Sequence, residues 1–394
     1  MRTAVPVREG IALSALTLAA GSFAIVGASV NAPLIRVALG LSEIGVGAIA
    51  SMAYFGAMLT SRAGGRATDR LGPMIVITVG MTMTALGIGL ASIAQEVVVF
   101  YLGILLAGFG YGAINPATNV LANPTTARRR GLVMSVKQSG VPLGGIVAGA
   151  VLPAIGSRYG WRSAFLAPML ACCGVAALTW LAARGRVAVH RRAVEPLGVS
   201  VRLRMPHGFA YGFAMAGAQV SVFAFTAVYL VDGRALSINR AGLGVSLLLL
   251  AGVLGRPLWG WLSDLYPEQR LRMLQAASLL GAGSISTMWT FPAVVLPVAL
   301  FAVGLCSVGW NGVYVAVVAE AGEPHEIGLN TGASLRMINL GAVACPVITG
   351  LVVQLSHSWA YGWTFCSAVS LFGLVIIAVS RADPRVQSTA EAAQ

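Results

Sequence analysis

Charge is scarce in this sequence. Only 10% of its 394 residues are Asp, Glu, Lys or Arg, and just 13 are acidic. A water-soluble domain carries about a quarter charged residues, so this composition excludes an ordinary soluble protein. Lysine is almost absent, with Lys137 the single one among 26 basic side chains. The five cysteines (Cys172, Cys173, Cys306, Cys345, Cys366) all fall in apolar stretches, which excludes a disulfide framework and gives no metal-ligand spacing. His190, His207, His325 and His357 lie in breaks or at stretch edges. No nucleophile, base and orienting carboxylate come together, so neither enzyme chemistry nor a cofactor or metal is expected.

What the chain does have is apolar length: 57% hydrophobic residues and a mean hydropathy of +0.82. A bilayer core of roughly 30 Å takes about 20 apolar residues per helix. Twelve stretches qualify: 11–31, 44–61, 73–94, 97–121, 131–155, 162–183, 207–231, 241–262, 271–292, 294–319, 328–355 and 359–380. Only a turn near Phe291-Pro292 parts the ninth from the tenth. Arg2, Arg8 and Ala28-Ser29-Val30 give the first stretch some likeness to a secretion signal. Its apolar run of about 20 residues exceeds the usual 7–15, so it reads as an uncleaved helix. The expectation is an all-α integral membrane protein.

The net charge of +13 is explained by where it falls. With twelve spans, 19 basic residues lie on the side of both termini, Arg256 counted among them. Five lie on the other side: Arg36, Arg158, Arg162, Arg234 and Arg240. Positive charge gathers on the cytoplasmic face, so both termini are expected there, in a cell inner membrane. The basic face suits anionic lipid headgroups, which removes the case for nucleic acid.

The chain also repeats itself. Gly65, Asp69, Arg70 and Gly72 follow the second span, and Gly260 and Asp264 keep the same Gly-x-x-x-Asp spacing after the eighth. Tyr159-Gly160-Trp161 recurs as Tyr361-Gly362-Trp363, each with a Phe close behind. Between the copies lies an arginine-rich stretch. The organisation expected is a six-helix bundle at 1–183, a cytoplasmic linker at 184–206, and a second bundle with a short cytoplasmic tail at 207–394.

On these features the sequence resembles the major facilitator superfamily over essentially its whole length. The family signature after span 2 is Gly-x-x-x-Asp-Arg-x-Gly and then two basic residues; the match fails only at Pro73 and Met74, where the basic pair would stand. The resemblance implies twelve helices in two pseudo-symmetric bundles, rocking around a midplane site by alternating access. Gly65 is expected to allow close backbone approach. Asp69 and Asp264, anions at helix ends, can cap exposed amides or pair with an arginine as a conformational latch.

Span 5 carries Gly140-x-x-x-Gly144 and Gly145-x-x-x-Gly149 with Pro142 between, a spacing that lets helix backbones pack closely. "GVPLGG" also resembles the span-5 signature of drug/proton antiporters in this superfamily, with the proline one place late. Ile104 stands where those antiporters would have an arginine.

Two basic residues lie inside spans, Lys137 in span 5 and Arg336 in span 11, and no acidic residue lies in any span interior. A charge at mid-bilayer costs roughly 2.5–3.5 kcal/mol by insertion scales and usually faces a cavity. Lys137 lies about 8 Å from its span end, within reach of snorkelling, and Arg336 about 12 Å. Asn115, Gln138, Trp310, Asn311 and Asn339 are further candidates to contact substrate, with Asn31, Tyr54, Asn119 and Gln219 as other polar residues that could face the same cavity. The expected function is a secondary transporter of a small organic anion, working as a monomer. A drug/proton antiporter is the alternative, and a non-transporting membrane sensor a third reading from another class.

Overall fold

The computed structural model describes residues 7–122, 136–184, 206–320 and 327–382. Most of the expected linker, the Arg128–Arg130 cluster and the chain ends lie outside these residues.

Among the described residues, twelve long helices run in order: α1 (Val7–Val30), α2 (Glu43–Leu71), α3 (Pro73–Ile93), α4 (Val97–Leu121), α5 (Gly140–Tyr159), α6 (Leu166–Ala183), α7 (Pro206–Val228), α8 (Ile238–Leu265), α9 (Arg270–Thr290), α10 (Leu296–Gly309), α11 (Ile327–Ser356) and α12 (Trp359–Ala382). Eleven spans among the described residues are long and apolar enough to cross a bilayer. The exception is α9, diluted by Arg270, Arg272 and several hydroxyls. The hydroxyls of Ser278, Ser284, Ser286 and Thr287 donate hydrogen bonds to carbonyls three or four residues back, at 2.6–3.1 Å, which lowers the cost of placing them in an apolar setting.

Some boundaries differ from the sequence expectation. The second span was expected to end near residue 61, but α2 continues to Leu71. Its last turns are amphipathic, with Gly64 and Thr68 buried while Arg62, Arg66, Asp69 and Arg70 are exposed. A hydropathy run ends where the helix leaves apolar surroundings, not where the helix itself ends. The stop comes at Gly72, whose φ of +84° only glycine adopts cheaply, and Pro73 opens α3. The tenth span is interrupted at Trp310 and resumes as a helix over Asn311–Glu320.

Helix pairing repeats with an offset of six. The pairs α1–α5, α2–α4, α3–α4 and α3–α6 recur as α7–α11, α8–α10, α9–α10 and α9–α12. The halves meet where α2 lies along α11 and α5 along α8, with α1 touching α7. Small residues make both seams. A Cβ on Gly47 would fall 2.3 Å from the Pro346 carbonyl oxygen, and one on Gly149 2.5 Å from that of Gly242. Ser51 Oγ donates to Val343 O at 2.6 Å, and Ser246 Oγ to Ile146 O at 2.9 Å.

The Tyr-Gly-Trp repeat supplies a buried aromatic anchor in each half. Trp161 packs edge-on against Phe100 and Phe165, and Trp363 against Tyr229. The turns differ: Gly160 breaks the chain at φ +84°, whereas Gly362 lies within α12 and the break falls at His357, φ +50°.

Candidate functional site

Lys137 lies just ahead of α5 in the span Val136–Tyr159 and is wholly buried. Its ammonium donates to the side-chain oxygen of Asn119 on α4. Asn115 sits one turn before Asn119, so both amides lie on the same face of α4. No carboxylate among the described residues pairs with Lys137. A buried ammonium balanced only by an amide dipole carries a desolvation cost that an incoming anion relieves.

Arg256, expected on the cytoplasmic side, reaches the residue that follows Lys137 in sequence. It lies inside α8, nine residues before the helix ends at Leu265. One guanidinium nitrogen donates to the main-chain oxygen of Gln138 at 2.5 Å, while Nε is buried without a partner. The phenols of Tyr111 on α4 and Tyr54 on α2 are close enough to interact electrostatically with it. Gln138 thus contributes its backbone here, and its side chain is exposed. The signal for Arg256 was present, since residue 256 falls within the apolar stretch 241–262. Counting loop charges by side concealed it.

Arg336 stands apart. It is exposed on α11, and among the described residues it has no hydrogen-bond or ion-pair partner. Asn339, one turn on, is partly buried with no side-chain partner among those residues. Of the two basic residues expected inside spans, Lys137 is buried and Arg336 exposed, while Arg256 bonds the backbone of Gln138, next to Lys137 in sequence.

A second polar cluster lies in the other half. Trp310 Nε1 and Asn311 Nδ2 both donate to Gln219 Oε1 on α7, at 2.9 and 3.3 Å. Tyr211 and Tyr314 pack against the buried Trp310 ring, and Tyr314 accepts a hydrogen bond from Ser334 at 2.8 Å.

The repeated Gly-x-x-x-Asp motif is helical rather than a loop. Asp69 and Arg70 are exposed in the last turn of α2, and among the described residues Asp69 has no partner. No side chain caps the start of α3. The close approach expected of Gly65 belongs to its neighbour: a Cβ on Gly64 would meet Ala113 Cα at 2.6 Å, but one on Gly65 meets only Pro116 at 3.9 Å. Gly260 has open space around it, and Asp264 faces Arg270 at 3.7 Å.

On α5, added Cβ atoms at Gly140 and Gly144 would strike the Ala15 and Ala19 carbonyls of α1. Those at Gly145 and Gly149 would strike Leu249 and Gly242 of α8. Pro142 is buried between these faces. At the end of the molecule where α2 begins, Arg36 bonds Glu43 of its own half and Asp232 of the other, both at 2.6 Å. Contacts between α2 and α11 at this end include Glu43–Gly350, Gly47–Pro346 and Ser51–Val343.

Residues 12–334 and, overlapping them, 208–394 match the family described as Major Facilitator Superfamily. The chain is 26% identical to an uncharacterized MFS-type transporter of Mycobacterium tuberculosis, over 98% of this chain and 88% of the relative. It is 24% identical to the hexuronate transporter of Bacillus subtilis (89% and 88% covered) and 23% identical to the benzoate transport protein of Acinetobacter baylyi (93% and 88%). Among solved structures, a bacterial homolog of the human lysosomal transporter Spinster, in an inward-facing and occupied conformation, is similar with a TM-score of 0.76. That likeness, at 15% identity over 93% of this chain and 94% of the other, is one of fold.

Proposed function

We propose that this chain, which belongs to the Major Facilitator Superfamily and is therefore a secondary transporter, carries a small organic anion, its carboxylate held between Lys137 and Arg256. The observation that carries the reading is the buried Lys137 together with the half-buried Arg256, which bonds the backbone of the next residue, neither paired with a carboxylate among the described residues. Lys137 has only an amide oxygen for company, and Arg256 keeps an unpaired buried Nε. A carboxylate supplies an acceptor for each. Two relatives are named for hexuronate and benzoate, which are carboxylates.

In this reading the bundles 1–183 and 207–394 rock about the α2–α11 and α5–α8 seams, joined through 184–206. Lys137 belongs to the first bundle and Arg256 to the second, so an anion between them also links the moving parts. Both termini are cytoplasmic in an inner membrane, which makes the Arg36 end external. The structure then corresponds to a state closed outside. Asp69, exposed here, engages as a latch when the cytoplasmic ends approach. One chain, surrounded by anionic lipid on its basic face, is the working unit.

A thermal-shift screen of purified protein against carboxylates, sugars, amino acids and cationic dyes tests the reading. Stabilisation by carboxylates is expected, because a ligand that binds only the folded state raises its melting temperature. Stabilisation by cationic dyes alone would overturn it in favour of efflux.

A further inference from the structure

The bonds around Gln219 fix more than a packing contact. An indole nitrogen can only donate a hydrogen bond, so Trp310 requires that the Gln219 amide turn its oxygen inward. Asn311 reaches that same oxygen and must therefore present its own amino group. Both side chains lose the freedom to flip that free amides have. The ends of the two amides not used in these bonds are Gln219 Nε2, a donor, and Asn311 Oδ1, an acceptor. Neither has a partner among the described residues, and both residues keep partial exposure.

The support behind them is rigid. Trp310, Tyr211 and Tyr314 are buried and packed edge to face or tilted, with ring centroids 5.4–5.8 Å apart. The Tyr211 hydroxyl donates to Leu274 O at 3.1 Å, and the Tyr314 hydroxyl is held by Ser334. Asn311 starts the second segment of the interrupted tenth span, so the amide pair sits at a break halfway along it.

We propose that Gln219 and Asn311 form a hydroxyl-recognition subsite, with Gln219 Nε2 donating to a substrate hydroxyl oxygen and that hydroxyl donating to Asn311 Oδ1. A hydroxyl satisfies both amides at once, because it is donor and acceptor together. A carboxylate only accepts, and it would set a negative oxygen against Oδ1. Resting on the anion reading for the other end of the substrate, the subsite narrows the class to hydroxylated carboxylates. A site built to bond a hydroxyl discriminates against the analogue that lacks it.

The test is calorimetric titration of purified protein with matched acids: lactate and propionate, gentisate and benzoate. The hydroxylated member of a pair is expected to bind about tenfold more tightly, the worth of one well-made hydrogen bond. Gln219→Met should remove that preference, bringing the affinity for the hydroxylated acid down to that for its unsubstituted partner. Trp310→Phe keeps the glutamine but frees its amide, and it should reduce the preference in the same selective way; it decides the matter if the first variant does not fold. Wild-type protein that binds benzoate or propionate with no preference for the hydroxylated partner overturns the subsite alone. So does a preference that survives in Gln219→Met. Failure to bind any of the four acids overturns the anion reading and the subsite with it.

Discussion

Arg256 donates to the backbone oxygen of Gln138, the residue that follows the buried Lys137. A cation of one bundle is thereby tied to the main chain beside a cation of the other. Losing either charge should therefore weaken anion binding. Lys137→Gln and Arg256→Gln are each expected to cost about 1–3 kcal/mol, the range for removing one partner of a charge-assisted hydrogen bond. Arg336→Gln, at an exposed position, should stay within about 0.5 kcal/mol. Titration calorimetry with a bound carboxylate reads all three, and equal losses for Arg336→Gln and Lys137→Gln would place Arg336 in the site.

Asp69 has no described partner in this conformation, so Asp69→Asn should leave melting temperature unchanged. Transport should slow severely, because the charge is needed only when the ends that carry it come together. Asp264→Asn should be milder, its contact with Arg270 lying within one half. Normal turnover in the Asp69 variant would reduce the motif to a topological signal.

At the opposite end, Arg36 spans the two halves. Its pairing with Asp232 is partly exposed, 26% and 39%, so it contributes about 0–1 kcal/mol to closure. Spin labels at the exposed Val37 and Leu355 should give one short distance in the wild type and an added longer one in Arg36→Ala. An unchanged distribution would remove Arg36 from the gate.

The glycine contacts of α5 predict a steric result. A side chain at Gly144 would place its first carbon 2.0 Å from the Ala19 carbonyl oxygen, whereas Gly174 has open space. Gly144→Val should destabilise by about 1–3 kcal/mol, the cost of overpacking, and Gly174→Ala should not. Thermal denaturation in detergent compares them, and equal stability of the two variants would show that the α1–α5 contact yields.

Much of the fold was legible because apolar length and a half-chain repeat are long-range patterns. Among the described residues, each of the twelve expected stretches is helical. Local detail was harder to read. The end of α2 was hidden because its final turns alternate buried Gly64 and Thr68 with exposed arginines, which defeats a hydropathy run. Gly64 rather than Gly65 makes the close contact, and one position along a helix rotates a side chain by about 100°. The candidate site was legible in part: Lys137 stood out, with Arg336, as one of two basic residues inside spans. Arg256 did not, since it bonds across a seam between residues 118 positions apart.

Orientation can be read separately. A reporter fused after Arg192 should lie in the cytoplasm and one after Glu96 outside, as the arginine asymmetry requires. A periplasmic signal from the first fusion would reverse the assignment of the closed end.

The most direct test of the central claim is uptake of radiolabelled carboxylates, hexuronate and benzoate among them, into proteoliposomes of purified protein. Saturable accumulation is expected for at least one acid, lost when Lys137→Gln and Arg256→Gln are combined and unaffected by cationic dyes. Movement of cationic dyes but of no carboxylate, with both side chains dispensable, would contradict the account.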